Sequence, residues 1–103
     1  MRNANENCPD CRQRHEPRDA AELKLLKNRL NRMIGQLNGI GRMLDENRYC
    51  GDVLMQVSAV QTALRSFGCM VFKSHMESCV AEELRSGNDA IIEETVELMK
   101  RMK

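Results

Sequence analysis

The sequence has 103 residues, 42% hydrophobic but only 3% aromatic, with no Trp, one Tyr, two Phe and eight Met. That suffices for one small domain with a core poor in large side chains, so other copies of the chain are expected to complete the burial of apolar surface. Sixteen Lys and Arg against fifteen Asp and Glu leave a net charge of +1; no apolar run approaches the ~18 residues that span a bilayer, and the polar opening stretch lacks the apolar run of a secretory signal, so a soluble, cytoplasmic protein is expected.

Residues 1–18 read as a flexible arm carrying Cys8-Pro-Asp-Cys11 with His15 close behind, and 19–103 as one helical domain. The Cys-x-x-Cys spacing suits half a zinc knuckle or a small redox dithiol, although no βαβ pattern surrounds it. An incidental pair of thiols, an auxiliary metal ligand and a redox modulator all remain open for Cys8 and Cys11. With Cys50, Cys69 and Cys79 they make five cysteines, an odd number without the regularity of a disulfide framework. In a reducing compartment such cysteines bind or react.

Asp19 followed by Glu22 reads as an acidic helix start close to a capping box. From there Leu23, Leu26, Leu30, Met33, Leu37, Ile40 and Leu44 alternate at spacings of three and four, a heptad seam that predicts a helix over about 20–46. A second seam of Cys50, Val53, Val57, Val60, Leu64, Phe67, Val71 and His75 predicts a long helix over about 50–85, with Gly68 as a point of weakness and Gly87 as its stop. Asn88 or Asp89 can cap a short third helix carrying Ile92, Val96 and Met99. Nothing alternates as a strand does, so the expected fold is all-α: two long helices and a short one.

The near-zero net charge conceals segregation. Nine Lys and Arg lie between Arg12 and Arg48, whereas seven acids between Glu77 and Glu97 face Arg85 alone. A chain so divided can present a basic face to a polyanion, although two solvated faces of opposite sign account for the pattern equally well.

His75 and Cys79, four apart on a helix, share a face and can hold one metal ion. Cys50 lies on the same seam, but 25 residues of helix separate it from His75, roughly 37 Å at ~1.5 Å per residue. It can instead reach a partner copy: antiparallel pairing of two such helices sets Cys50 of one chain beside His75 and Cys79 of the other, with the two-fold axis near Ala63 and Leu64. Two sulfurs and one imidazole form a soft set favouring Cu(I) or Zn(II); structural zinc generally takes four protein ligands, and three suit trigonal Cu(I). Tyr49 and Glu94 are candidates for orienting the imidazole through its other nitrogen.

These residues carry a family resemblance. Arg32–Gln36, Tyr49-Cys50, Gln56–Val60 and His75-x-x-x-Cys79, within a stretch from about 24 to 100, resemble the CsoR/RcnR family of bacterial metal- and thiol-sensing repressors. The resemblance implies a three-helix protomer, an antiparallel dimer and a dimer-of-dimers tetramer. It also implies a copper-sensing ligand set on Cys50, His75 and Cys79, with Tyr49 and Glu94 supporting it. His75 favours copper over the sulfur-sensing branch, which lacks that histidine; Cys69 and the Cys8/Cys11 arm depart from the common pattern and keep sulfur chemistry open.

No known DNA-reading motif is present, so DNA binding rests on the basic face of helix one and on the resemblance. Lys27, Arg29 and Arg32 are the candidate phosphate contacts, Arg29 on a family position implicated in DNA binding, and Gln36 is a polar contact. The expected function is a non-enzymatic, Cu(I)-responsive repressor that binds operator DNA in the apo form and releases it with metal. The alternatives are a persulfide- or thiol-responsive repressor of the same family and a copper-binding protein that does not bind DNA.

Overall fold

The computed structural model describes residues 18–102, and within them every regular element is helical. In chain order they are α1 (Ala20–Asp45), α2 (Cys50–His75), a π turn (Met76–Val80), α3 (Ala81–Arg85) and α4 (Ala90–Arg101). The expected second helix is realised as α2, the π turn and α3 in succession. Gly68 does not interrupt α2; the irregularity lies at 76–80 instead. The expected arm, with Cys8, Cys11 and His15, lies outside the described residues. Among those described, no helix is long and apolar enough to cross a membrane.

Local chemistry sets the helix ends. Asp19 caps α1: its Oδ1 accepts from the backbone N–H groups of Ala21 at 2.7 Å and Glu22 at 3.1 Å, satisfying two of the donors a helix start leaves unpaired. Glu22 does not complete a capping box; its carboxylate lies 3.8 Å from Arg18 Nε. α1 ends in a Schellman motif, with Arg48 N–H bonded to Met43 O, Asn47 N–H to Leu44 O, and Asn47 at φ 54°. α3 ends the same way: Asn88 N–H bonds Glu83 O, Gly87 N–H bonds Leu84 O, and Gly87 sits at φ 89°. Gly87 is thus the expected stop, and of the two expected caps Asp89 takes the N-cap position of α4, without a side-chain hydrogen bond, whereas Asn88 does not. Its amide donates to Glu83 Oε1 at 2.6 Å.

The chain forms two compact units. In the first, Arg18–Cys69, the buried apolar side chains are Leu26 and Met33 of α1 and Val60 of α2, each worth roughly 1.5–3 kcal/mol relative to exposure. The expected seams are only partly covered. Leu23, Leu30, Leu37 and Leu44 are exposed, as are Cys50 and Leu64 on α2. Seven positions spaced by three and four form a stripe wider than one neighbouring helix can cover, so burial follows the line through Leu26 and Met33, seven apart.

In the second unit, from Met70 on, α4 packs against the π turn. Cys79, Val80 and Ile91 are buried with Ser74, Glu83 and Thr95. The inward face of α4 is therefore Ile91 and Thr95, not the expected Ile92, Val96 and Met99, all of which are exposed. Thr95 is hidden cheaply because its hydroxyl donates to Ile91 O at 2.7 Å, leaving no orphaned polar atom.

The two left-handed caps yield a stability prediction. A Cβ on Gly87 would meet nothing within 4 Å, so Gly87→Ala should destabilise through backbone strain alone, by about 1–2 kcal/mol, while Asn47→Gly should leave stability equal or slightly raised. Urea titrations followed by helical circular dichroism read both; wild-type stability in Gly87→Ala would contradict the cap.

Candidate metal centre and nucleic-acid interface

The soft donors sit at two helix ends. Cys50 is the first residue of α2 and is exposed. Tyr49 precedes it as the capping position, its carbonyl accepting from Asp52 N–H at 3.0 Å and Val53 N–H at 3.2 Å. The Tyr49 ring crosses the first turn of α2 so closely that a Cβ on Gly51 would fall 2.5 Å from its Cε2. Glycine at 51 therefore leaves the ring room against the first turn of α2, although Tyr49 stays 75% exposed.

His75 closes α2 and Cys79 lies within the π turn, half-buried and 2% exposed respectively. The wide turn is marked by Ala81 N–H, which donates to Met76 O five residues back as well as to Ser78 O. Ser78 Oγ–H donates to Ser74 O at 2.8 Å and lies 4.0 Å from Cys79 Sγ. In an α-helix a step of four residues passes just beyond one full turn; a π turn takes more residues per turn, so the same step falls just short. His75 and Cys79 stay on one face in either case. Glu94, half-buried, is carried by α4, the helix packed against the π turn. Among the described residues of the single chain, no three His, Cys, Asp or Glu side chains converge as a metal-holding group.

The basic residues are better assembled. Arg29, Arg32 and Gln36, together with Met33, line a recess of about 160 Å³ whose remaining wall is Ala63 of α2. Among the described residues no carboxylate pairs with Arg29 or Arg32; the surface ion pairs involve Arg18, Arg48, Arg85 and Lys100. Lys27 does not line the recess. Two residues before Arg29 it lies about 200° around a helix of 3.6 residues per turn. Sequence reasoning missed Ala63 as part of this face, since a methyl group carries no chemical signature; its placement opposite α1 could be read only from the pairing of the two helices. Cys69 is exposed on α2 and joins neither group.

Comparison with known proteins gives this arrangement a context. A family model described as a metal-sensitive transcriptional repressor matches residues 22–101. The copper-sensing transcriptional repressor CsoR of Bacillus subtilis (strain 168) is 35% identical over 85 residues, 82% of this chain and 84% of the relative. The copper-sensing transcriptional repressor RicR of Mycobacterium tuberculosis (strain H37Rv) is 46% identical over 59 residues, 57% of this chain and 62% of that protein. The crystal structure of the copper-sensing repressor CsoR with Cu(I) from Geobacillus thermodenitrificans NG80-2 is similar at a TM-score of 0.80 and 36% identity, over 85% of this chain and 93% of that one. With α1 through α4 lying almost wholly inside the matched span, this chain belongs to the family of metal-sensitive transcriptional repressors.

Proposed function

We propose that the protein is a cytoplasmic, Cu(I)-responsive transcriptional repressor that binds operator DNA in the apo form and releases it when Cu(I) binds. The observation that carries this reading is the placement of the soft donors: His75 and Cys79 flank and occupy a π turn, and Cys50 stands at the opposite end of an unbroken α2. π turns inside helices recur at functional sites, and the donor set of two thiolates and an imidazole matches a soft, three-coordinate metal. The copper-sensing relatives support the choice of metal.

The site is shared between two copies. α2 spans 26 residues, about 39 Å at ~1.5 Å per residue, so its two ends meet only through antiparallel pairing with a second α2. The exposed Leu54, Leu64 and the Leu30, Leu37, Leu44 line supply apolar surface for such a dimer and for a tetramer built from two of them. Cys50 then comes from one chain, His75 and Cys79 from the other, and Tyr49 and Glu94 orient the imidazole by engaging its non-ligating nitrogen. Arg29 and Arg32 contact DNA phosphates, Gln36 adds a polar contact, and Lys27 contributes long-range positive charge.

Three outcomes test the reading. One Cu(I) should bind per protomer, and Cys50→Ala or Cys79→Ala should abolish metal-induced DNA release while leaving apo DNA binding intact; mixed oligomers of the two variants that regain no tight site would overturn the cross-chain arrangement. Arg29→Ala and Arg32→Ala should each weaken operator binding and flatten its salt dependence, by about 0.9 in log–log slope for each phosphate no longer neutralised, with Cu(I) affinity unchanged; wild-type affinity in both would move the DNA surface elsewhere. Metal and DNA should also oppose each other by the same factor in either order of addition. Glu94→Ala should keep Cu(I) tight yet reduce that factor. Full release of DNA in Glu94→Ala would route the coupling through the thiolates and favour a thiol-responsive repressor instead.

A further inference from the structure

Arg29, Arg32 and Gln36 occupy one face of α1 at i, i+3 and i+7. They rim a recess of about 160 Å³ floored by Met33, itself 5% exposed, and closed on its far side by Ala63. A volume of this order admits a benzene-sized group, which suits one tetrahedral oxyanion with its ester oxygens and is too small for a nucleotide. Two guanidinium groups three residues apart repel each other, and no carboxylate among the described residues neutralises either. Each offers a planar fork of N–H donors matched to phosphate oxygens. The Gln36 amide can add a further N–H, and the apolar floor strengthens charge interactions above it.

Ala63 sets the capacity of this recess. It is the one wall residue contributed by α2, half-buried, and its side chain is a single methyl group. A longer side chain there would project from α2 toward the guanidinium groups and occupy the space an anion would take.

We infer that the recess seats a single phosphate oxyanion between Arg29 and Arg32, and that Ala63 is the positioning residue whose small size keeps the seat open. The inference rests on the repressor reading in one respect: the phosphate is a backbone group of bound DNA. Contacts to phosphate fix the register of a protein on the duplex without reading its sequence. The seat therefore acts alike on operator and non-operator DNA.

The test uses the full-length apo protein. Ala63→Leu fills the recess, Ala63→Glu supplies the arginines with an internal anion, and Ala63→Ser preserves the volume. Binding to labelled operator and to a scrambled duplex is followed by anisotropy over a range of NaCl concentrations. Ala63→Leu and Ala63→Glu should weaken both duplexes by about tenfold or more, and reduce the log–log salt slope by about 0.9 per occupied seat. Ala63→Ser should bind as the wild type does. Helical circular dichroism identifies a variant that fails to fold, and the remaining one then decides. Wild-type affinity and slope in a folded Ala63→Leu or Ala63→Glu protein would overturn the seat while leaving the repressor reading standing. A wild-type protein that binds neither duplex would instead overturn the repressor reading. Inorganic phosphate then tests the seat by itself: at matched ionic strength it should raise the melting temperature of wild type more than that of Ala63→Leu, and equal shifts would overturn the seat.

Discussion

Among the described residues six apolar side chains are buried, whereas fifteen large ones are more than a third exposed, and this shortage of cover shapes the rest of the molecule. Scattered exposed apolar residues are ordinary on a soluble protein. Here they are periodic: Leu23, Leu30, Leu37 and Leu44 follow one another at intervals of seven along α1. A heptad line of that kind is the pattern by which one helix recognises another. With only three large aromatic side chains in the whole sequence, the chain has little means of closing such a stripe alone. Association then serves both stability and function in the proposed reading, because a chain that buried its own seam would leave Cys50 no second copy to face.

The π turn is the second local feature on which the reading depends. Widening a helix by one residue disturbs the regular i to i−4 pairing, and every displaced backbone group needs another partner. Ala81 N–H finds one in Met76 O, and Ser78 Oγ–H adds a bond to Ser74 O. The segment thus remains hydrogen-bonded while departing from α geometry, in the five residues that hold Cys79. The cap of α3 reinforces it from the other side: Asn88 bonds the buried Glu83 carboxylate and Ser86 Oγ bonds Glu82 O and Glu83 O. α4, the helix that carries Glu94, packs against the turn.

Much of this was legible from residue patterns. The α1 boundaries followed from Asp19 and from the heptad spacing, and the end of α3 followed from Gly87, because caps and periodicity are local properties. Three features were not. The π turn left no trace in the apolar pattern, since His75 and Cys79 share a face in either helix type. The inward face of α4 was misread by one position, because Thr95 looks polar until its hydroxyl is seen to bond Ile91 O. Ala63 could not be recognised as part of the basic face, since its contribution is the room it leaves. The proposed donors Cys50, His75 and Cys79 stand out by type and spacing, and in the proposed reading their meeting requires a second copy of α2, which the single chain does not contain.

For metal and DNA to oppose each other, both must bias the same structural element. α1 carries the guanidinium groups but none of the proposed metal donors. α2 carries Cys50 at its first residue and Ala63 thirteen residues later, roughly 20 Å along a rigid helix at ~1.5 Å per residue. The recess is formed jointly by α1 and α2, so its width depends on how the two helices lie against each other. A change in the pairing of α2 with its partner would therefore alter the recess without moving any arginine along α1. In the proposed reading the charges on α1 would hold the DNA, and the α2 wall of the recess is what a change in helix pairing would move against them.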